Sequence, residues 1–439
     1  MNKNKILFLL YFFPPIASTA TRRNAYIYKY LGDLFDEKFV FTTRNRDIFP
    51  NDSFYDFLLK SDLPIEVIPT FDYRTFLNLF QSDKGTTKKT IHLSSDVKKK
   101  PLVRFLTRLL DGFPLNILFQ EGGIYYSLAG TYKAYRLIKK EKITHVWSSF
   151  RPYSDHFTAY LIKKIFPNIV WVADFRDLHV EPLYDNVYFI PFQHWCNRFF
   201  IKKADVVTTI SSGLATHLKK YNPNVYVLKS GIDITKTEFD TSQFEKFTIC
   251  FTGNMANGER NPAALLEVVK TLSGKKIISS ENFQILYAGA EDHYWLTAVA
   301  KWGVSDFFVS KSSVSTSEAT SFQRKSHINL LLTSATPEWT GVLTGKFGEY
   351  LSAKNPILVL INGTKDVEFE EVVENLEAGI VAYSDSFDEI KKFVVSKFNE
   401  WKATGEVKST VKMEKLKELE WSFLIKKFVE NQLKSSFEA

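Results

Sequence analysis

The stretch TPEWTGVLTGKFGEYLSAKNPILVL, residues 336–360, gathers residues able to hold a charged ligand. Thr340, Gly341, Thr344 and Gly345, with Val342 and Leu343 among them, make a small loop ahead of an expected helix near 344–353. The first turns of that helix carry Lys346 and Glu349, which share a face. A lysine there opposes the helix macrodipole, and the arrangement becomes favourable when an anion sits at the N-terminus. Glu349 then accepts from hydroxyls, as a ribose requires. The bland alternative is a surface i, i+3 ion pair worth tenths of a kcal/mol. The coincidence of loop, lysine and carboxylate favours a site.

A second loop, TGNMANGERNP (252–262), offers glycines at 253 and 258 for close backbone approach, Asn254, and the forked donors of Arg260. Asn261 can cap the following helix and Pro262 fits its first position. Together these suit a diphosphate, although a plain turn with a surface arginine explains them equally well. In VADFRDLHVEP, Asp174, Arg176, Asp177 and His179 crowd the end of a strand. They read equally as a site or as an ionic network tying loops together. Asp155 or His156 is expected to begin the next helix back, with helix capping the plainer role for the histidine.

Loops of this kind need strands that end beside them. β-rich segments recur at 143–149, 169–177, 204–211 and 225–231, separated by helical or irregular stretches, which implies crossovers and a parallel sheet. The pattern lapses near 232–246 and restarts with FTICFTGN at 247–254, then FQILYAG, DFFVS, INLLLTS, PILVLI and GIVAYS. Ser315 and Glu318 form a capping box. The expectation is an α/β protein of two doubly wound domains, 1–235 and 236–415, with a tail at 416–439, and a ligand in the cleft between the domains.

The opening KILFLLYFFPPIASTATRR resembles a secretory signal, but its apolar core from Ile6 to Phe13 is short, and a helical pattern and the strand KFVFTT follow. A first buried strand is the better reading. The 439 residues exceed one ordinary core. Two cysteines, Cys196 and Cys250, exclude a disulfide framework and CxxC metal sites and agree with a cytoplasmic setting. A net charge of +8 suits anionic partners. Nucleic acid is disfavoured because the basic residues form no recognisable binding module. The densest basic cluster, from Lys84 to Lys100, precedes PLVRFLTRLL, where Leu102, Phe105, Leu106 and Leu109 fall at helical spacing among Arg104 and Arg108. Such a helix suits an anionic membrane surface or an ordinary core-facing position.

The chain resembles the retaining glycosyltransferases of the GT-B fold, in the group called family four, and within it the bacterial branch that builds capsule, lipopolysaccharide or exopolysaccharide. The likeness is carried by the opening segment, WVADFRD, ADVVTTIS, GNMANGERNP, INLLLTS and above all TGVLTGKFGEYLSAKNPIL. It implies a nucleotide-sugar donor, UDP- or GDP-linked, held by the second domain with neither metal nor cofactor. Arg260 would contact the diphosphate and Lys346 the donor, Glu349 the ribose, and the backbone from Gly341 to Thr344 the phosphates. The acceptor would be a glycan or a lipid-linked saccharide, with Asp174, Asp177 and His156 as candidates for orienting it, at the cytoplasmic face of a membrane. LEWSFLIKKFVENQL (419–433) would be a helix crossing back to the first domain. The chain departs from its relatives at Gly341, where many carry a glutamate near the transferred sugar, and at Ala17 and Ser18, where glycines often approach the donor. Two other functions fit the same architecture: a UDP-N-acetylglucosamine 2-epimerase-like enzyme and a non-catalytic sugar-nucleotide-binding or glycan-binding subunit.

Overall fold

The structure, a computed structural model, describes residues 3–16, 18–43, 64–73, 105–107, 109, 110, 112, 114–177, 189–232, 242–337 and 339–438. His179, Ala17, Leu102, Arg104, Arg108 and the lysines from 84 to 100 lie outside them. Phe105, Leu106 and Leu109 are described and are exposed rather than packed into a core.

Two wholly parallel sheets organise the chain. The first holds β1 (Lys5–Leu9), β2 (Glu37–Thr43), β3 (Ile65–Ile68), β4 (His145–Phe150), β5 (Val170–Phe175), β6 (Val206–Thr209) and β7 (Val225–Val227), in the order β3-β2-β1-β4-β5-β6-β7. The second holds β8 (Phe247–Thr252), β9 (Phe283–Ala288), β10 (Phe308–Ser310), β11 (Ile328–Ala335), β12 (Ile357–Gly363) and β13 (Gly379–Ala382), in the order β10-β9-β8-β11-β12-β13. The opening segment therefore forms β1, paired with both β2 and β4. Strands covered on both faces read as unbroken apolar runs, as ILFL does in β1 and LVLI in β12.

By contacts the chain divides into one unit of Met1–Ile210, Leu214–Leu228 and Ile425–Ala439, and another of Ser211–Gly213 and Lys229–Leu424. The core of the first joins Leu7, Val146, Trp171 and Ala173 to helix residues such as Ala159 and Ile162. The chain's tail completes it. Phe428 meets Trp147 and Tyr226, and Phe437 packs on Phe35 at 4.8 Å. His145 Nε2 lies 2.9 Å from Ser436 Oγ. In the second unit Leu265, Leu266, Val269 and Leu272 of the helix Ala263–Gly274 cover the sheet. That helix starts one residue later than its sequence suggests: Pro262 is the N-cap, and Asn261 Oδ1 accepts from the Ala263 amide. Ser315 and Glu318 form the expected capping box.

The helix Tyr153–Ile165 begins at Tyr153, so Asp155 and His156 stand inside its first turns rather than at its cap. Asp155 is buried and accepts from the Tyr11 amide at 2.8 Å and the Tyr126 hydroxyl at 2.9 Å, tying the loop after β1 to two helices. Burial pushes its carboxyl up to about 7, against the pull of these two donors. Because the folded value is raised above the unfolded one, this group favours folding most below about pH 4 and loses that contribution as pH rises towards 7. Asp155→Asn should therefore flatten the fall in Tm between pH 5 and 7. An unchanged pH profile of Tm in the variant would show that Asp155 does not titrate there.

Candidate functional site

The second unit brings the two sequence-predicted loops together at the C-terminal ends of β8 and β11. Past β8, Gly253 adopts φ 125°, a backbone that favours glycine, and Lys346 Cε lies 3.1 Å from where its Cβ would stand. The lysine side chain therefore crosses directly over Gly253. Arg260 Nη1 donates to Asn254 O at 2.8 Å and to Asn254 Oδ1 at 2.9 Å. Two cations thus flank residues 253–254. Burial lowers the pKa of the Arg260 guanidinium, with Tyr350 and Glu291 opposing the shift, and the group remains a cation. The Glu291 carboxylate also accepts from the Met255 amide, which fixes the loop's path.

The helix Gly345–Ala353 starts behind Thr344, whose hydroxyl accepts from the Phe347 amide. Lys346 Nζ lies 3.1 Å from Glu349 Oε2, so the i, i+3 pair does form. It is embedded in a larger set. Gln323, buried, donates through Nε2 to Glu349 Oε2 at 3.0 Å and to Thr252 Oγ1 at 2.9 Å, while the Thr252 amide donates to the Tyr350 hydroxyl. Glu349 is therefore a held acceptor with a partly exposed side chain, which an isolated surface pair would not require.

The expectation for Gly341 needs correcting. Its amide donates to both oxygens of Asp366, at 3.0 and 2.8 Å, so it has no hydrogen left for a phosphate. Asp366, the N-cap of the helix Val367–Asn375, also accepts from the Phe369 amide. Among the described residues the amides of Val342, Leu343 and Thr344 form no hydrogen bond. Gly341 has φ 70°, and a Cβ there would overlap the Glu368 carboxylate. Glu368, in the first turn of the helix Val367–Asn375, pairs with Lys229 Nζ at 2.9 Å and accepts from the Ser212 hydroxyl. A carboxylate from another helix thus fills the space that a side chain at 341 would take.

The first-unit candidates divide differently. Asp174 is wholly buried. Arg23 binds it through Nε at 3.0 Å and Nη2 at 2.8 Å, and the Thr208 hydroxyl donates to Oδ1 at 2.8 Å. This is the ionic network that the sequence left open, with Arg23, not Arg176, as its cation. Asp177 is half-buried at the loop end of β5. His156 is buried against Phe175, ring centres 4.4 Å apart, and burial lowers its imidazole to about 3, so it is neutral. Trp171 Nε1 donates to Ser148 Oγ, which also lies 2.8 Å from His156 Nδ1. The other ring nitrogen, Nε2, has no partner among the described residues. No group of three or more His, Cys, Asp or Glu among the described residues gathers as metal ligands would.

Gln323, Asp366 and Glu368 were missed in the sequence. The S-x-x-E box at 315–318 marked the start of the helix that carries Gln323, but nothing marked that residue itself.

Two parallel doubly wound sheets, with clustered loops at strand C-termini, define a GT-B fold. Solved structures of that architecture are similar over nearly the whole chain. The lipopolysaccharide outer core galactosyltransferase WaaB superposes with a TM-score of 0.53 at 11% identity, covering 98% of this chain and 99% of that one. TarM gives 0.56 at 11% identity over 97% and 99%. Sucrose-phosphate synthase from Thermosynechococcus elongatus gives 0.56 at 9% identity over 100% of both. No family model and no curated protein sequence matches the chain.

Proposed function

We propose that this protein is a retaining glycosyltransferase of surface polysaccharide biosynthesis. It moves a sugar from a UDP- or GDP-linked donor to a glycan or lipid-linked acceptor at the cytoplasmic face of a membrane. The observation that carries the reading is the pair of cations, Arg260 and Lys346, flanking Gly253 and Asn254 beside the held carboxylate of Glu349. The cations stabilise negative charge as the sugar–phosphate bond breaks, the role that usually supplies the largest share of catalysis. The amides of Val342, Leu343 and Thr344 supplement them, and Glu349 accepts from the ribose hydroxyls. Substitution on a single face of the sugar needs no protein nucleophile. This leaves Asp177 and His156 as the first-unit candidates for orienting the acceptor, since Asp174 is consumed by Arg23 and Thr208.

The test is acceptor-dependent release of UDP or GDP from a panel of nucleotide sugars, with the anomeric configuration of the product read by NMR. Release that survives EDTA is expected, because side chains supply the positive charge. Donor binding without turnover in any acceptor extract would favour the non-catalytic binding subunit instead.

Glu368 extends the reading. The resemblance puts position 341 near the transferred sugar, and here the carboxylate in that space belongs to Glu368. A hydrogen bond from a sugar hydroxyl to a charged acceptor is worth about 1.5–3 kcal/mol. Glu368→Gln should therefore lower kcat/KM for the nucleotide sugar by roughly 10- to 100-fold, with affinity for the bare nucleotide within about twofold. Equal losses for sugar and bare nucleotide would place Glu368 in general loop support.

A further inference from the structure

The first unit contains a cavity of about 360 Å³ that the proposed transfer chemistry does not use. Its walls include Ile117, Leu118, Phe157, Trp171, Phe175 and Phe200. Protein interiors are close-packed and rarely hold voids larger than a water, and apolar voids stay dry. The volume falls instead in the range of ligand sites, roughly 300–1,000 Å³. Two of the lining residues, Ile124 and Phe192, are also strongly exposed, at 43% and 47%, and mark where the space opens to the surface.

The surface around that opening has a distinct chemistry. The helix Ile190–Ile201 turns Cys196 and Asn197 inward and leaves Phe192, Trp195 and Phe199 exposed at i, i+3 and i+7. Their rings stack in sequence, with centres 5.7 and 5.6 Å apart. Phe189 is 69% exposed just before the helix. Arg198, Lys202 and Lys203 are exposed at its far end, and Lys164 Nζ lies over the Phe199 ring at 5.9 Å. Exposed Trp and Phe on one face with cations beside them suit the boundary of an anionic bilayer. No helix among the described residues is long and apolar enough to cross one.

We propose that this cavity receives the hydrocarbon tail of the lipid-linked acceptor, drawn from the bilayer past Ile124 and Phe192. The assignment of the tail to an acceptor rests on the glycosyltransferase reading; the cavity's taste for hydrocarbon does not. The unpartnered Nε2 of His156, in the cavity wall, offers one hydrogen-bonding atom to a polar group on the chain.

The experiment is calorimetric titration of straight-chain alkyl phosphates from butyl to dodecyl, below their critical micelle concentrations, with inorganic phosphate as the chainless control. Affinity should rise roughly fourfold per methylene until the space is full, then level off. Ala173→Leu and Cys196→Phe each add bulk at a wall position. Either should abolish the chain-length dependence while binding UDP or GDP as wild type does; the second serves if the first fails to fold. Affinity indifferent to chain length, or filled variants that bind dodecyl phosphate as tightly as wild type, would overturn the proposal. Chain-length dependence without nucleotide binding would instead sink the donor reading and leave the cavity as a hydrocarbon site.

Discussion

Asp174→Ala should lower the stability of the protein by about 3–5 kcal/mol, the usual consequence of removing one partner from a buried ion pair. Arg23 is only 4% exposed and Asp174 0%. The truncation therefore leaves a guanidinium in the core without the carboxylate that neutralises it, although its bond to the Leu228 carbonyl at 3.0 Å remains, and it strands the Thr208 hydroxyl. Urea unfolding followed by tryptophan emission would read the change as a lower midpoint. The pair itself is not expected to be strongly stabilising, because desolvating two charges offsets most of their attraction. Arg23→Met combined with Asp174→Leu should consequently recover most of the lost stability. That pattern, severe single and mild double, is the signature of a structural pair. If Asp174→Ala instead kept its unfolding midpoint and lost turnover, Asp174 would return as an acceptor-orienting group.

The case of Asp174 shows what kind of information the sequence carries. DFRD placed acid and base side by side, but the cation that binds Asp174 lies 151 residues away in the helix Thr19–Gly32. Nothing local announces such a partner. Parallel strands were legible because burial on both faces writes them as short apolar runs between turn residues. The loop at 340–349 was legible because its glycines, its lysine and its carboxylate are contiguous in the chain. The same loop's surroundings were not: Asp366 reaches the Gly341 amide from 25 residues on, and Gln323 reaches Glu349 from 26 residues back. Ser18 proves to be a helix N-cap, accepting from the Ala20 amide. The apolar cavity was illegible for a related reason. Its walls come from four separated segments, and each reads alone as ordinary core.

Glu349→Ala should weaken binding of the preferred nucleoside diphosphate by roughly 10- to 100-fold, the worth of a hydrogen bond to a charged acceptor. Calorimetry of UDP and GDP against wild type and variant measures it. The loss has a specific chemical origin if Glu349 meets the ribose. Wild type should then bind the 2′,3′-dideoxy nucleotide about as weakly as the variant binds the normal one. The variant itself should barely distinguish the two, so that the two losses are not additive. Lys346→Met provides the contrast, because it removes a charge that acts on the phosphates. It should weaken the diphosphate more than the monophosphate, reduce the salt dependence of binding, and leave ribose discrimination in place. Gln323 anchors the Glu349 carboxylate independently of Lys346, at 3.0 Å, so the acceptor stays in position when the lysine is shortened. A Glu349→Ala variant that binds both nucleotides as wild type does would dissolve the donor site as drawn. The Lys346–Glu349 contact would then be the surface pair that its i, i+3 spacing equally allows.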